Sequence, residues 1–397
     1  MNFVFISPNF PHTYWQFCDR LKRNGVNVLG IGDSPYDALE EPLKRALTEY
    51  YRVDSLENYD QVLRAVGYFT FRYGKIDWLE SNNEYWLEQD ARLREAFHIT
   101  TGILPGEIDS WKHKSSMKPV YRQAGIPCAR CLKVTSKEAA LDFLKEIGGY
   151  PVIAKPDVGV GAADTYKIED DAGLEAFFLE KPDVPYVMEE FIEGNICSYD
   201  AITDSHAEPL FESMTKFPPS IADIVNHDLD LSYYTCASIP DQLKRYGRAA
   251  LKAFNVRSRF VHLEFFCLTK ARKGLGEVGD YAALEVNMRP AGGYTPDMMD
   301  YAHSTDVYQI WADMVTYDAR RLPDSRDHHW CVYASRKDSH TYRHTHEEVL
   351  ARYGDRIVMC ERMPELMWAS MGCQMYTAHA YSEEEVREFI RFVQEQS

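Results

Sequence analysis

Two short apolar stretches of the chain carry acidic residues where a strand would bury its side chains. One contains Glu264, and the other reads Glu285-Val-Asn287-Met-Arg289. Because side chains alternate between the two faces of a strand, Glu285, Asn287 and Arg289 are expected to point the same way. Two carboxylates and an amide oxygen suit a hard cation such as Mg²⁺, and a nearby arginine suits phosphate. These four residues therefore predict a metal and phosphate site on the surface of a sheet.

A glycine-rich loop after a predicted strand is a second candidate for phosphate binding. Lys155 lies at the end of the strand, and Gly159 and Gly161 follow it in the loop. Glycines let backbone N–H groups turn toward an anion, and the lysine adds a positive charge. No Gly-Lys-Ser/Thr follows, so the loop is not a Walker A motif. Taken alone, a plain β-hairpin explains these residues equally well.

An acidic turn at the end of the predicted strand 186–191 is a third candidate. It contains Glu189, Glu190, Ile192 and Glu193. Apolar side chains beside the turn could hold a flat base, whose edge would bond to backbone groups of the turn. For the Glu190 side chain, a solvated strand end is the favoured explanation.

Composition excludes several classes of protein. The formal net charge of −17 argues against binding to nucleic acid, which usually needs a basic surface. No apolar run approaches the roughly 18 to 20 residues of a membrane span. Met1 leads directly into an apolar strand, without the basic segment of a secretory signal. The nine cysteines are scattered, which is typical of reduced thiols, so we expect a cytoplasmic globular protein.

Strands that alternate with helices are expected to position these residues, and they indicate α/β layering. Residues 1–31 are predicted to form a strand, a helix and a strand with parallel pairing. The first turn of this unit lacks Gly-x-Gly-x-x-Gly, which disfavours a nicotinamide or flavin dinucleotide site. A further helix is predicted over residues 112–123. A charged hairpin loop, residues 270–280, is predicted to join the strands that carry Glu264 and Glu285.

The order of these features resembles the ATP-grasp superfamily over about residues 1–320. The order is Lys114, Lys155, the glycine-rich loop, the acidic turn, Glu264 and the Glu-x-Asn-x-Arg motif. The resemblance implies an α/β protein with an ATP-grasp fold, which combines an N-terminal α/β (pre-ATP-grasp) domain, a small lid subdomain and a C-terminal mixed-sheet core.

The same resemblance implies domain boundaries. The N-terminal domain would span residues 1–110, the lobe that bears the lid residues 111–188, and the core lobe with the metal site residues 189–397. Residues 329–397 are expected to complete the central sheet, with a dimer surface as the alternative.

The resemblance also implies roles for individual residues. The residues that would bind ATP are Lys114, Lys155, Gly159, Gly161, Glu189, Glu190, Ile192 and Glu193. The ligands of Mg²⁺ (or Mn²⁺) would be Glu264, Glu285 and Asn287. Arg289 would be the catalytic residue that faces the transferred phosphate and the acyl-phosphate.

The implied reaction is ligation of a small carboxylate, such as an amino acid, to an amine through an acyl-phosphate. Biotin carboxylases follow the Glu-x-Asn-x-Arg motif with Val-Glu-His, which supplies the bicarbonate base, whereas this chain has Pro-Ala-Gly292-Gly293. This difference favours carboxylate-amine ligases of the amino-acid ligase type. The alternatives are a carbamoyl-phosphate-synthase-like or biotin-carboxylase-like enzyme, or a nucleotide-binding protein without turnover. The expected partners are small-molecule substrates, with a homodimer as a further option.

Several residues are candidates for the acceptor side of the site. The possible substrate contacts are Lys216, His262, Gly292 and Gly293. A satisfied histidine within the strand explains His262 about as well, and solvated side chains are favoured for Lys216 and Arg259. The segment 82–86 begins a predicted helix, where capping by asparagine and lining of a pocket are the two explanations.

Overall fold

The computed structural model describes residues 1–159, 164–218 and 229–397, which contain three β-sheets with helices packed around them. Gly161 of the predicted glycine-rich loop lies outside the described residues. Within the described ranges, no helix is both long and apolar enough to cross a membrane.

The N-terminal sheet has four parallel strands in the order β3-β2-β1-β4. Its strands are β1 (Asn2–Ile6), β2 (Asn27–Gly32), β3 (Glu49–Arg52) and β4 (Trp78–Glu80). Its helices are α1 (Trp15–Arg23), α2 (Glu41–Ala46), α3 (Tyr59–Tyr73) and α4 (Leu87–Ala96). The predicted strand-helix-strand unit with a parallel pair is confirmed. The strand order reverses beside β1, so a crevice is expected where the carboxyl ends of β1 and β4 diverge.

A second sheet of four antiparallel strands follows, in the order β5-β8-β6-β7. It consists of β5 (Cys131–Lys133), β6 (Val152–Pro156), β7 (Tyr166–Ile168) and β8 (Tyr186–Glu190). The associated helices are α5 (Asp109–Lys112), α6 (Lys114–Gln123), α7 (Lys137–Ile147) and α8 (Asp171–Glu180).

The predicted helix over residues 112–123 is wrong in one respect, because it is broken at His113. The His113 backbone is extended, with φ −93° and ψ 118°. The backbone N–H of Lys114 donates to the Asp157 carbonyl oxygen at 3.0 Å. The break therefore ties the start of α6 to the segment that follows β6.

The core sheet has eight strands in the order β13-β12-β9-β10-β11-β14-β16-β15. They are β9 (Gly194–Thr203), β10 (Pro209–Phe217), β11 (Ser232–Thr235), β12 (Arg259–Leu268), β13 (Tyr281–Asn287), β14 (Trp330–Arg336), β15 (Ile357–Arg362) and β16 (Gln374–Ala380). Its pairings are antiparallel, whereas the expected core sheet was mixed. The difference arises because hairpins such as β9-β10 and β12-β13 join its neighbours directly. Residues 329–397 do complete this sheet.

Six helices of the described residues accompany the core sheet, and Trp311 on one of them contacts the N-terminal domain. They are α9 (Asp241–Ala253), α10 (Thr295–His303), α11 (Val307–Tyr317), α12 (His346–Tyr353), α13 (Trp368–Met371) and α14 (Glu383–Gln394). Trp311 of α11 packs edge-on against Phe3 and Phe17 of the N-terminal domain, with ring centroids 5.7 and 4.8 Å apart. A helix late in the chain thus belongs to the N-terminal core. The boundaries at 110 and 188 stay predictions, and the second falls within β8.

Two helical glycines provide a test of this packing. A Cβ on Gly247 in α9 would lie 2.4 Å from the Tyr199 ring, whereas one on Gly67 in α3 would meet only Phe97 at 3.9 Å. We expect Gly247→Ala to lower the free energy of unfolding by roughly 1–3 kcal/mol, because the ring and the helix must separate. Gly67→Ala should raise it by about 0.5–1 kcal/mol through helix propensity. Urea denaturation of both variants checks this, and equal effects would contradict the close helix-sheet contact.

Candidate functional site

The three residues predicted to bind a metal lie together on neighbouring strands. Glu264 of β12 is directly opposite Glu285 of β13, and His262 is opposite Asn287. Opposite residues of an antiparallel pair lie on one face, with Cβ atoms roughly 5 Å apart. Arg289 lies two residues beyond β13, where its guanidinium donates to the Pro290 carbonyl oxygen at 2.8 Å. It has no acidic partner among the described residues.

His262 is held between two carboxylates. Its Nδ1 lies 2.6 Å from Asp200 Oδ1, and its Nε2 lies 3.3 Å from Glu264 Oε1. The Ser198 hydroxyl donates to the other oxygen of Asp200. Burial opposes the charged imidazolium, but Asp200 and Glu264 raise the pKa of His262 to about 9. Both ring nitrogens are therefore engaged, which favours a histidine that orients Glu264 over direct substrate contact.

Lys114, the first lysine predicted to bind phosphate, connects β13 to the glycine-rich loop. Lys114 Nζ lies 3.1 Å from Glu285 Oε1 and donates to the Gly159 carbonyl oxygen at 3.0 Å. The side chain is almost fully buried, with 7% exposed. Its ammonium group is thus placed between a candidate metal ligand and the loop that follows Lys155.

Lys155, the second lysine predicted to bind phosphate, belongs to a buried triad with Glu189 and Lys118. The sequence analysis did not predict Lys118. Glu189 lies 3.1 Å from both Lys155 and Lys118. Lys118 follows Lys114 by four residues on α6, so helical spacing could have placed both on one face. Burial would raise the pKa of the Glu189 carboxyl, but the two ammonium groups lower it to about 2.

The Glu190 side chain does not have the solvated position expected for it. It is 4% exposed, and its carboxylate pairs with Arg130 and Arg272, each at 2.8 Å. The Arg130 backbone N–H donates to the same carboxylate at 2.8 Å. These two ion pairs therefore hold the turn after β8 in place. Because the Glu190 carboxylate is already paired, the backbone groups of the turn are what remains to contact a ligand.

A small cavity of about 150 Å³ lies beside the turn after β8. Its walls include Ile192, Glu193, Leu268 and Lys270, and Glu193 pairs with Lys270 at 2.9 Å. The cavity has an apolar wall and a charged rim, which suits one edge of a flat heterocycle.

The candidates on the acceptor side separate into different environments. Lys216 is partly exposed and pairs with Glu383 of α14 at 3.3 Å. Gly293 has φ +63°, and a Cβ there would lie 2.9 Å from Met371 Cε, whereas Gly292 faces open space. Arg259 is 2% exposed, so the expectation that it is solvated is wrong. Its partner is Glu80 of the N-terminal domain, at 2.8 Å.

A cleft of about 670 Å³ opens between the N-terminal domain and the glycine-rich loop. Its walls include Glu84 and Trp86 on one side, and Val158, Gly159 and Glu285 on the other. Burial raises the pKa of the Glu84 carboxyl to about 7, against the opposing effect of the Arg289 charge. The Met288 N–H, one residue before the predicted catalytic arginine, donates to Glu84 Oε2 at 2.8 Å.

We expect a large loss of stability when the Glu189 carboxylate is removed from the buried triad. We expect Glu189→Gln to lower the free energy of unfolding by about 3–5 kcal/mol, since two buried ammonium groups lose their counter-charge. Asp142→Asn should change it by less than about 1 kcal/mol, because the Asp142–Lys145 pair is exposed. Urea denaturation at pH 7 measures both.

The pKa of Glu189 adds a pH dependence to the same experiment. Because the folded pKa is lowered from 4.5 to about 2, the carboxylate stabilises the fold above pH 4.5. This stabilisation is lost as the pH falls through about 2. The difference between wild type and Glu189→Gln should therefore shrink below pH 4.5, and a constant difference would contradict the ion pairs.

Similarity to known proteins identifies the fold of the chain. No model of a known protein family matches the chain. Over 158 residues, 38% of this chain and 14% of the relative, it is 25% identical to the carbamoyl phosphate synthase large chain of Clostridium acetobutylicum.

Three solved structures resemble the chain over nearly its whole length. N5-carboxyaminoimidazole synthetase from Staphylococcus aureus has a TM-score of 0.71 and 15% identity, covering 99% of this chain and 97% of that one. An L-amino acid ligase from Bacillus licheniformis has a TM-score of 0.69 and 14% identity, with 99% and 96% covered. The biotin carboxylase domain of the Hydrogenobacter thermophilus 2-oxoglutarate carboxylase, a dimer with MgADP and bicarbonate, has a TM-score of 0.68 and 15% identity, with 98% and 89% covered. The chain therefore has the ATP-grasp fold, as the order of its motifs predicts.

Proposed function

We propose that the protein is an ATP-dependent ligase that joins a small carboxylate to an amine through an acyl-phosphate. The observation that carries this proposal is a cluster of charged and polar groups. Two opposed carboxylates and an amide lie beside two largely buried lysines, and Arg289, two residues further on, has no acidic partner in the described part of the chain. A carboxylate is a poor electrophile at neutral pH, so its reaction with an amine needs prior activation. Transfer of the ATP γ-phosphoryl group needs positioning and charge neutralisation more than covalent help from the protein.

The oxygen donors present fit a hard cation. Glu264 and Glu285 face each other, and Asn287 is on the same face, so these three residues would hold Mg²⁺ (or Mn²⁺). The Asn287 amide oxygen would be the third protein ligand. Among the described residues, no group of three or more His, Cys, Asp or Glu side chains could hold a metal ion. Bound with ATP, the ion would neutralise charge on the phosphates.

The lysines would bind the phosphates from the opposite side. Lys114 and Lys155 each face a carboxylate in this structure, and nucleotide phosphates would compete with those carboxylates for the ammonium groups. Adenine would lie at the cavity beside Ile192 and the turn after β8, where it would bond to backbone groups. The glycine-rich loop would close over the phosphates and exclude water, which would otherwise hydrolyse the acyl-phosphate.

Arg289 would bind the carboxylate that is phosphorylated. Its guanidinium has one described contact, to a carbonyl oxygen, so planar donors remain for a carboxylate or phosphate.

We also propose a cytoplasmic protein, since all nine cysteines are free thiols. A homodimer is part of the proposal because the similar carboxylase domain is a dimer.

Acyl-phosphate chemistry on bicarbonate is the second candidate. It is favoured by the similarity to a carbamoyl phosphate synthase chain and to a carboxylase domain. Against it, the segment after Arg289 is Pro-Ala-Gly-Gly-Tyr, which offers no carboxylate or imidazole to deprotonate bicarbonate. A protein that binds nucleotide without turnover would not need opposed metal carboxylates.

Release of ADP and phosphate separates these functions. Purified protein with MgATP should turn over in the presence of a carboxylate plus an amine, with a product whose mass equals their sum minus water. Turnover with bicarbonate alone would support the second candidate. No stimulation by amino acids, small acids or bicarbonate would overturn both.

Glu285→Gln should abolish this turnover while the fold stays intact. We expect a loss of more than about 100-fold, because the substitution removes a charged metal ligand and the partner of Lys114. Glu277→Gln, on the exposed hairpin loop between the same two strands, is the matched control and should keep wild-type activity. Full activity of Glu285→Gln, with circular dichroism unchanged, would contradict the metal assignment.

A further inference from the structure

The two candidate metal carboxylates each contact a basic side chain. Glu264 Oε1 lies 3.3 Å from His262 Nε2, and Glu285 Oε1 lies 3.1 Å from Lys114 Nζ. The other ring nitrogen of His262 lies 2.6 Å from Asp200, which holds the ring within the core sheet. The contact between Glu285 and Lys114 is therefore the one that can be exchanged for another.

The backbone of Lys114 is fixed, whereas its ammonium group can move. The Lys114 N–H donates to the Asp157 carbonyl oxygen at 3.0 Å, and the next residue, Ser115, donates from its hydroxyl to the Asp157 carboxylate at 2.8 Å. Besides Glu285, the ammonium group has one further contact among the described residues, to the Gly159 carbonyl oxygen at 3.0 Å. Because a lysine carries its charge on a flexible four-carbon stem, the ammonium group can leave Glu285 while α6 stays in place.

A metal ion on Glu285 would meet this ammonium group. Such an ion bonds to a carboxylate oxygen at roughly 2.1 Å, so an ion on Glu285 Oε1 would lie within about 5 Å of Lys114 Nζ. The Lys114 side chain is 7% exposed, and like charges repel more strongly at such a site than in water. Lys114 and a divalent ion therefore compete for one carboxylate.

Lys114 differs in this respect from the other buried lysines of the site. Lys155 and Lys118 each lie 3.1 Å from Glu189, which is not a candidate metal ligand. Phosphates could contact those two lysines without changing the charge around the metal carboxylates. Phosphates that draw Lys114 away from Glu285 would free that carboxylate for the ion.

We propose that Lys114 competes with the metal ion for Glu285, so that the ion binds weakly until nucleotide phosphates take the ammonium group away. This inference rests on the metal ligands and the phosphate lysines of the proposed function. Metal and nucleotide then strengthen each other's binding by the same factor, as linkage requires. Direct bonds between ion and phosphates add to this cooperativity, and a variant without the ammonium group loses only the part that Lys114 carries.

Lys114→Gln tests the competition, because it removes the charge from Glu285 and from the phosphates together. Binding of Mn²⁺ alone is measured by the electron paramagnetic resonance signal of the free ion, and we expect its affinity to rise at least about 10-fold. Binding of ADP in the presence of a chelator is measured by calorimetry, and we expect its affinity to fall at least about 10-fold. A general loosening of the site would weaken both.

Three control variants locate the effect. Lys114→Arg keeps the charge and should bind Mn²⁺ as weakly as wild type. Lys145→Gln removes the same charge from an exposed pair with Asp142, so both affinities should stay at the wild-type values. Glu285→Gln added to Lys114→Gln should abolish the gain in Mn²⁺ affinity. Circular dichroism checks the fold, and Lys114→Met, which keeps an apolar stem, replaces Lys114→Gln if that variant does not fold.

The outcomes separate this inference from the ligase function. An Mn²⁺ affinity in Lys114→Gln that is equal to or below that of wild type, or a gain that persists without the Glu285 carboxylate, would overturn the competition. Wild-type release of ADP with a carboxylate and an amine would leave the ligase in place in that case. A gain that depends on Glu285, in a protein that shows no turnover with any substrate, would support the competition and remove the ligase.

Discussion

Compensation of buried charge is the constraint on which the rest of this structure depends. The ammonium groups of Lys114, Lys118 and Lys155 lie in a largely buried space between the second sheet and the core sheet, where an uncompensated charge would cost several kcal/mol. Glu189 and Glu285 supply the counter-charges from β8 and β13. A site built to receive a polyanion must remain stable without it, and these pairs provide that stability. Under the proposed function, nucleotide phosphates would exchange one set of ion pairs for another, so these three ammonium groups would be paired in both states.

The antiparallel core sheet fixes the relative positions of the candidate metal ligands. Glu264 and Glu285 are distant in the chain but become direct neighbours because a hairpin returns β13 along β12. The next strand, β9, places Asp200 beside His262, so that a row of polar side chains crosses three strands. Each member orients the next, and this limits the rotamers open to Glu264. The placement of these candidate ligands thus follows from strand register more than from any single contact.

Motif order was sufficient to predict the ATP-grasp fold and the meeting of Glu264, Glu285 and Asn287. It failed where a side chain's partner is distant in the chain. Glu190 was expected at a solvated strand end and Arg259 was expected to be solvated, yet each is buried against charges from another element. The break at His113 has the same origin, because a backbone contact to Asp157 overrides helical periodicity. Lys118 is a different case. It was not predicted, although its four-residue spacing from Lys114 places both lysines on one face of a helix.

Glu80, the last residue of β4, and Glu84, four residues later, differ in how far the fold uses their charge. Glu80 and Glu84 are both buried, and both connect the N-terminal domain to the strand that leads to Arg289. Glu80 is fully neutralised by two arginines, so substitution there would disturb the fold first. Glu84 gives one oxygen to the backbone and leaves the other facing the cleft. Glu84 is thus fixed in position by a backbone contact and borders the cleft, whereas the charge of Glu80 is spent on contacts within the fold.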